Sequence, residues 1–211
     1  MSKTITLFFI FVFSIAYSQQ TSRDIVAKTQ VNVLFIGNSL TYSNNLPELV
    51  KEMAAQEGIE MNYKMMAFPN YSIQDHWNVG KAQKLIAKKK YDFVIIQQGP
   101  SSQVNGRNML VEYGKKFNNL CKEYNTKLGY FMVWPSLSYY QTFNGVIKNY
   151  RDAARINNSI LLPVGKVWKE YIDKTEDFQY YGSDGFHPSL QGSKIAAKVI
   201  VNHLFLQNKN L

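Results

Sequence analysis

The chain has 211 residues, with 24 Lys or Arg against 15 Asp or Glu, for a formal net charge of +9. A single cysteine, Cys121, excludes an internal disulfide, so packing has to supply the stability, and the thiol reads as a small buried hydrophobe within a helix. The three histidines stand at no metal-ligand spacing and no nucleic-acid motif accompanies the positive charge, so neither a metal or other cofactor nor a nucleic-acid partner is expected.

Residues 1–18 read as an export signal. Lys3 supplies the positive end, Ile5 to Ala16 is mostly apolar, and Ala16-Tyr17-Ser18 places small residues at a cleavage point. The apolar run is short of the ~20 residues a spanning helix needs, so the expectation is a soluble periplasmic or extracellular protein with no membrane span after cleavage. The remainder, 19–211, shows no linker, repeat or low-complexity tract, and its length suits one well-buried domain.

Downstream, short apolar runs alternate with longer amphipathic stretches, the pattern of a parallel sheet covered by helices on both faces. Val31 to Ile36 reads as the first strand. A helix follows from near Leu46-Pro47-Glu48, with Pro in its first turn, to Gln56. Ile59 to Ala67 reads as the second strand, with Asn62 and Lys64 marking a wetter face. A helix from about Ile73 to Ala87 then leads to Lys88-Lys89-Lys90, cations suited to a helix end. Tyr91 to Ile96 is a buried third strand, Met109 to Tyr124 carries apolar residues at helical spacing, and Leu128 to Trp134 forms a fourth strand ending at Pro135. A helix near Phe143 to Asn157, a short strand Ile160 to Val164, a helix Lys166 to Asp173 and a closing helix Ser189 to Leu206 complete the order. His203 suits a solvated cation near that last helix end. Lys174 to His187 is polar, aromatic and Gly-containing, a loop of the kind that builds sites at the carboxyl ends of parallel strands.

Two segments carry chemistry. Gly37-Asn38-Ser39-Leu40-Thr41 lies where the first strand breaks into a turn, with Gly37 permitting the sharp exit and Ser39 at the carboxyl edge among backbone N–H groups that can stabilise an oxyanion. In Asp184-Gly185-Phe186-His187 the three-residue spacing lets the carboxylate reach one side of the imidazole while the other nitrogen points outward, as a base needs. Each has a plainer reading: Ser39 as a helix cap, Asp184 and His187 as decoration of a surface loop. Asp75-His76-Trp77 sets acid, imidazole and aromatic side by side, but neighbours early in a helix point in different directions. No Gly-x-Ser-x-Gly occurs, so the α/β-hydrolase nucleophile elbow is not indicated.

Together, Gly37-Asn38-Ser39-Leu40 and Asp184-Gly185-Phe186-His187-Pro188 resemble the first and last blocks of the SGNH or GDSL-like hydrolase family, with Asn38 where many members have Asp. The resemblance implies a flavodoxin-like three-layer α/β/α sandwich on a parallel five-stranded sheet. It also implies a serine esterase in which Ser39 attacks, His187 moves the proton and Asp184 orients the imidazole. The family's oxyanion hole adds a Gly and an Asn from two internal blocks. Here the second block falls at Pro69-Asn70-Tyr71-Ser72-Ile73, with Asn70 or Tyr71 in the Gly place, and the third at Gln97-Gln98-Gly99-Pro100-Ser101-Ser102. Ser39, Asn70 and Gln98 are then the expected donors, with Gln97 or Ser101 as alternatives. The implied substrate is an acetyl or short acyl ester of a carbohydrate, with Asn38, Trp134 and Tyr181 expected at the substrate. Tyr139, Tyr140 and Tyr180 lie on loops that suit sugar stacking and ordinary packing equally. The alternatives are an acyltransferase using the same triad and a non-catalytic carbohydrate-binding protein on the same fold.

Overall fold

The computed structural model describes residues 29–88 and 90–207; the expected export signal at 1–18 and Lys89 of the lysine cluster lie outside them. Strand β1 (Thr29–Gly37) runs through Val31, Val33, Leu34, Phe35 and Ile36, all buried. A strand that is apolar toward both faces is stable only with a layer on each side and a partner on each edge. It has both: β1 pairs in parallel with β2 (Ile59–Ala67), Val33 opposite Tyr63, and with β3 (Phe93–Ile96), Val33 opposite Phe93. Strands β4 (Lys127–Phe131) and β5 (Ile160–Leu162) extend the sheet in the order β2-β1-β3-β4-β5, every pair parallel. Edge strand β2 buries Ile59, Met61 and Met66 and exposes Glu60, Asn62 and Lys64.

The helices are α1 (Ser39–Tyr42), α2 (Leu46–Gln56), α3 (Ile73–Val79), α4 (Lys81–Lys88), α5 (Val104–Glu123), α6 (Phe143–Ile156), α7 (Val164–Thr175) and α8 (Leu190–Val201). Helix α2 packs on α8, while α3 and α6 pack on α5. The two groups cover opposite sides of the sheet, and the architecture is the expected three-layer α/β/α sandwich. No helix among the described residues is long and apolar enough to cross a membrane.

Several elements differ from the sequence pattern, each for a local reason. The helix expected over 73–87 is two helices, because Gly80 turns left-handed (φ +75°) and caps α3. Helix α5 begins at Val104, five residues early, since the polar first turn carries no apolar period to read. Strand β4 ends at Phe131, although Met132, Val133 and Trp134 stay buried. The Met132 carbonyl there accepts from the Gly165 N–H at the start of α7 (3.0 Å), and a Cβ at Gly165 would overlap the Val133 carbonyl. His203 is part-buried rather than fully solvated, its Nδ1 2.9 Å from the Val199 carbonyl one turn back. Cys121 is buried, and burial pushes its thiol up to about 12.

The chain leaves β1 toward β2 and then crosses to β3 on the other side of β1. Loops leaving the carboxyl ends of β1 and β3 therefore part in opposite directions and open a crevice between them. Ser39 follows β1 and Gln97 to Ser101 follow β3, so the topology alone puts both at its mouth.

Candidate active site

The Ser39 turn is held from below. Asn38 caps the single turn of α1, its Oδ1 accepting from the Leu40 N–H (3.1 Å) and its Nδ2 donating to the Tyr71 carbonyl (3.0 Å). Buried Gln97 accepts through Oε1 from the Asn38 N–H (2.9 Å) and the Thr41 hydroxyl (2.7 Å). Buried His76 places Nε2 2.7 Å from the Gly37 carbonyl, which also accepts from the Phe68 N–H (3.1 Å). Burial lowers the His76 pKa and so disfavours the charged ring; a carbonyl can only accept, so Nε2 carries a hydrogen. A Cβ at Gly37 would overlap the Thr41 hydroxyl and Gln97 Oε1, which is why the turn starts on glycine.

The Asp184 to His187 loop is built differently. Asp184 Oδ1 accepts from the N–H groups of Phe186 and His187, each at 2.9 Å, and Gly185 supplies the left-handed residue between them (φ +67°). The loop is then fastened from outside: the Leu137 N–H donates to the Gly185 carbonyl (2.8 Å), Trp134 Nε1 to the Phe186 carbonyl (3.0 Å), and Asn44 Nδ2 to the Pro188 carbonyl (2.9 Å).

These two supports bring together side chains 148 positions apart in sequence: His187 Nδ1 lies 2.6 Å from Asp184 Oδ2 and Nε2 lies 2.9 Å from Ser39 Oγ. The hydrogen bond from His187, reinforced by the Phe186 and His187 amides, holds the Asp184 carboxyl down at about 2. An ionised carboxylate only accepts, so Nδ1 carries a hydrogen. In the neutral ring Nε2 is then the acceptor, and the Ser39 hydroxyl donates to it. The side chains of Asp184 and His187 are 50% and 41% exposed, so the pair is open to solvent at the cleft rim.

Asn70 is the third residue of the turn Phe68 to Tyr71, closed by Tyr71 N–H to the Phe68 carbonyl (3.3 Å). Its φ is +61°, a position where Gly or Asn is favoured, which accounts for Asn standing where the family pattern has Gly. It lines, with Ser39, Tyr71 and Ser101, a cavity of about 310 Å³.

Other expected site residues take different roles. Gln98 and Ser101 line the same cavity, but both Gln98 amide hydrogens are engaged, with Ser101 Oγ (2.7 Å) and the Gly106 carbonyl (3.2 Å), and the Ser101 hydroxyl donates to the Gly99 carbonyl (3.0 Å). Neither side chain keeps a donor for an oxyanion. Trp134 is fully buried and stacked on Trp168 at 3.5 Å, and Tyr181 is buried with its hydroxyl on the Pro135 carbonyl (2.9 Å). Both fasten loops and cannot face a substrate. Tyr180 is buried as well, packed on Tyr171 and Trp168, and the Tyr140 hydroxyl is engaged with Asp173 (2.9 Å). Asn38 lines the cavity, but its amide serves the turn. Tyr139, 63% exposed, faces the cleft. Phe186 and Asn44 belong to the site as well; the first is marked in the sequence by its place between Asp184 and His187, whereas nothing in the sequence around Asn44 marks it. Among the described residues, no cluster of three or more His, Cys, Asp or Glu could hold a metal.

No family model matches the sequence, and no curated protein matches it closely enough to count as a relative. Solved structures do match in shape. A protein from Slackia heliotrinireducens assigned to the SGNH hydrolases is 19% identical, with 83% of this chain and 100% of that one covered at a TM-score of 0.72. A lipase/acylhydrolase from Enterococcus faecalis is 18% identical over 82% of this chain and 94% of its own, TM-score 0.65. A variant of an acetyl xylan esterase from Geobacillus stearothermophilus is 15% identical over 83% and 94%, TM-score 0.66. The fold is therefore SGNH/GDSL-like.

Proposed function

We propose that the chain is an exported serine esterase that removes acetyl or short acyl groups from a carbohydrate. The observation that carries the reading is the hydrogen-bonded line from Asp184 through His187 to Ser39, with the proton inventory a nucleophile and its base require. Ser39 Oγ bonds to the ester carbon as its proton passes to His187 Nε2. The same proton goes to the leaving oxygen as the ester C–O bond breaks, and the alcohol departs. Water then attacks the acyl-enzyme, giving a proton through His187 back to Ser39 Oγ and releasing the carboxylic acid. Ser39 and Asn70 both line the cavity, and their backbone N–H groups are assigned as the oxyanion donors on this reading. The amino-terminal pattern with Lys3 and Ala16-Tyr17-Ser18 supports export, and the similarity in shape to an acetyl xylan esterase supports the ester class.

The test is hydrolysis of 4-nitrophenyl acetate and labelling by a fluorophosphonate, with Ser39→Ala alongside. The wild type is expected to turn over and take the label, and Ser39→Ala to lose both, with kcat down by ~10⁴ or more. A wild type inert to both probes removes the esterase and leaves the carbohydrate-binding alternative, which the internally engaged Gln98 and Ser101 donors favour. Acylated product on adding a sugar acceptor identifies the acyltransferase.

A further inference from the structure

The cleft has a second chamber, which Ser39 does not line. It measures about 460 Å³ and is lined by Gln103 after β3 and by Pro135, Ser136, Tyr139 and Thr142 after β4. Pro100 and Phe186 line both chambers, so they stand between them. The first chamber, with Ser39 and the Asn70 turn, is also lined by Gly106 and Met109.

Resting on the esterase reading, the chemistry assigns each chamber a half of the substrate. His187 Nε2 takes the Ser39 proton and must return it to the leaving oxygen, so the alcohol half has to lie on the imidazole side of the ester carbon, with the carbonyl oxygen toward the Ser39 and Asn70 amides. Phe186 immediately precedes His187, and its backbone is tied to Trp134 just before Pro135, so the second chamber flanks the acid-base loop. We infer that the second chamber binds the leaving alcohol as a sugar ring, between Tyr139 and Phe186, and that the first binds the acyl group. Two aromatic residues in a lining that also holds Ser102, Gln103 and Ser136 match a pyranose, which is apolar on its ring faces and polar around its edge. The smaller first chamber, about 310 Å³ and lined in part by Met109, limits the acyl chain.

Two substrate ratios test this on the full mature protein: an acetylated pyranoside against methyl acetate, and 4-nitrophenyl hexanoate against 4-nitrophenyl acetate. Tyr139→Ala is expected to lower the first ratio of kcat/KM about tenfold, through KM, and to move the second less than about twofold. Met109→Trp is expected to lower the second ratio about tenfold and leave the first. Met109→Phe serves if the Trp variant shows a lowered Tm. The inference is overturned if Tyr139→Ala moves the acyl-length ratio and not the alcohol ratio, if neither variant moves either, or if Tyr139→Ala weakens aryl esters and spares the pyranoside. In each case Ser39-dependent hydrolysis persists and the esterase reading stands. Loss of all turnover in the wild type marks the failure of that reading instead.

Discussion

The Ser39 turn and the Asp184 to His187 loop meet at one 2.9 Å contact but are rigid for opposite reasons. Under Ser39, buried side chains do the holding: Gln97, His76 and Asn38 each bond backbone of the turn, and all three are nearly inaccessible to water. The acid-base loop keeps its two functional side chains half-exposed and is held by its own backbone, by the Leu137 amide and by two donors from behind, Trp134 and Asn44. Buried polar groups that lose a partner carry a full desolvation penalty, whereas exposed ones fall back on water. Changes under Ser39 are therefore expected to lower stability and activity together, and changes to the exposed pair to lower activity alone.

Asp184→Asn tests the second half of that contrast with the largest effect. The amide keeps an acceptor for the Phe186 and His187 N–H groups but can present N–H to Nδ1, favouring the wrong tautomer, so kcat is expected to fall by ~10³ or more with Tm changed by less than a few degrees. The pH dependence follows from the depressed carboxyl. Its contribution to stability, kept small by solvent screening of a half-exposed group, is fully present above the ordinary aspartate value of 3.8 and is lost as pH falls through about 2. Asp184 therefore stays ionised throughout a usual assay range, and no limb of the rate profile above about pH 4 is expected to come from it. Such a limb shared by the wild type and Asp184→Asn is consistent; one that vanishes in the variant contradicts the assignment.

Gln97→Leu tests the first half. The Asn38 N–H and the Thr41 hydroxyl would be left buried without their acceptor, at about 1–3 kcal/mol each, partly offset because Gln97 Nε2 itself has no partner among the described residues. A net loss of about 2–4 kcal/mol in denaturant unfolding, with a parallel drop in kcat, is expected. Loss of activity at unchanged stability would assign Gln97 to the chemistry and collapse the contrast.

How far the sequence foretold each region follows the same division. Strands buried on both faces announce themselves as Val, Ile and Phe runs, so β1 and β3 were readable, and Asp184 and His187 lie close enough in sequence for their spacing to speak. The supports were not readable, because they connect positions with no local relation: Gln97 to Asn38, Trp134 to Phe186, Asn44 to Pro188. An aromatic on a loop looks the same whether it faces a sugar or fastens a carbonyl. Trp134 and Tyr181 were misread for that reason, and burial alone separates them from Tyr139.

Trp134→Phe sharpens this point. Phenylalanine can still stack on Trp168 but loses the hydrogen bond to the Phe186 carbonyl and some volume, together about 1–2 kcal/mol, or roughly 2–8 °C in Tm. Because the lost bond positions the loop that carries His187, kcat is expected to fall several-fold with KM for 4-nitrophenyl acetate little changed. A rise in KM at constant kcat would restore Trp134 as a substrate contact.

The smallest effect separates the backbone of Asn70 from its side chain. The turn demands a left-handed residue, which glycine adopts at least as readily as asparagine, so Asn70→Gly is expected to change stability by no more than a few tenths of a kcal/mol. It deletes the side-chain amide and keeps the N–H proposed to face the oxyanion. If the backbone is the donor, kcat stays within about threefold of the wild type, whereas loss of a side-chain donor would cost on the order of a hundredfold. Asn70→Val provides the converse: a β-branched residue resists positive φ, so the turn shifts, and kcat should fall although a backbone N–H remains. Activity kept by Gly and lost by Val puts the donor on the turn's conformation, which links the departure from the family's glycine to a backbone requirement that asparagine also meets.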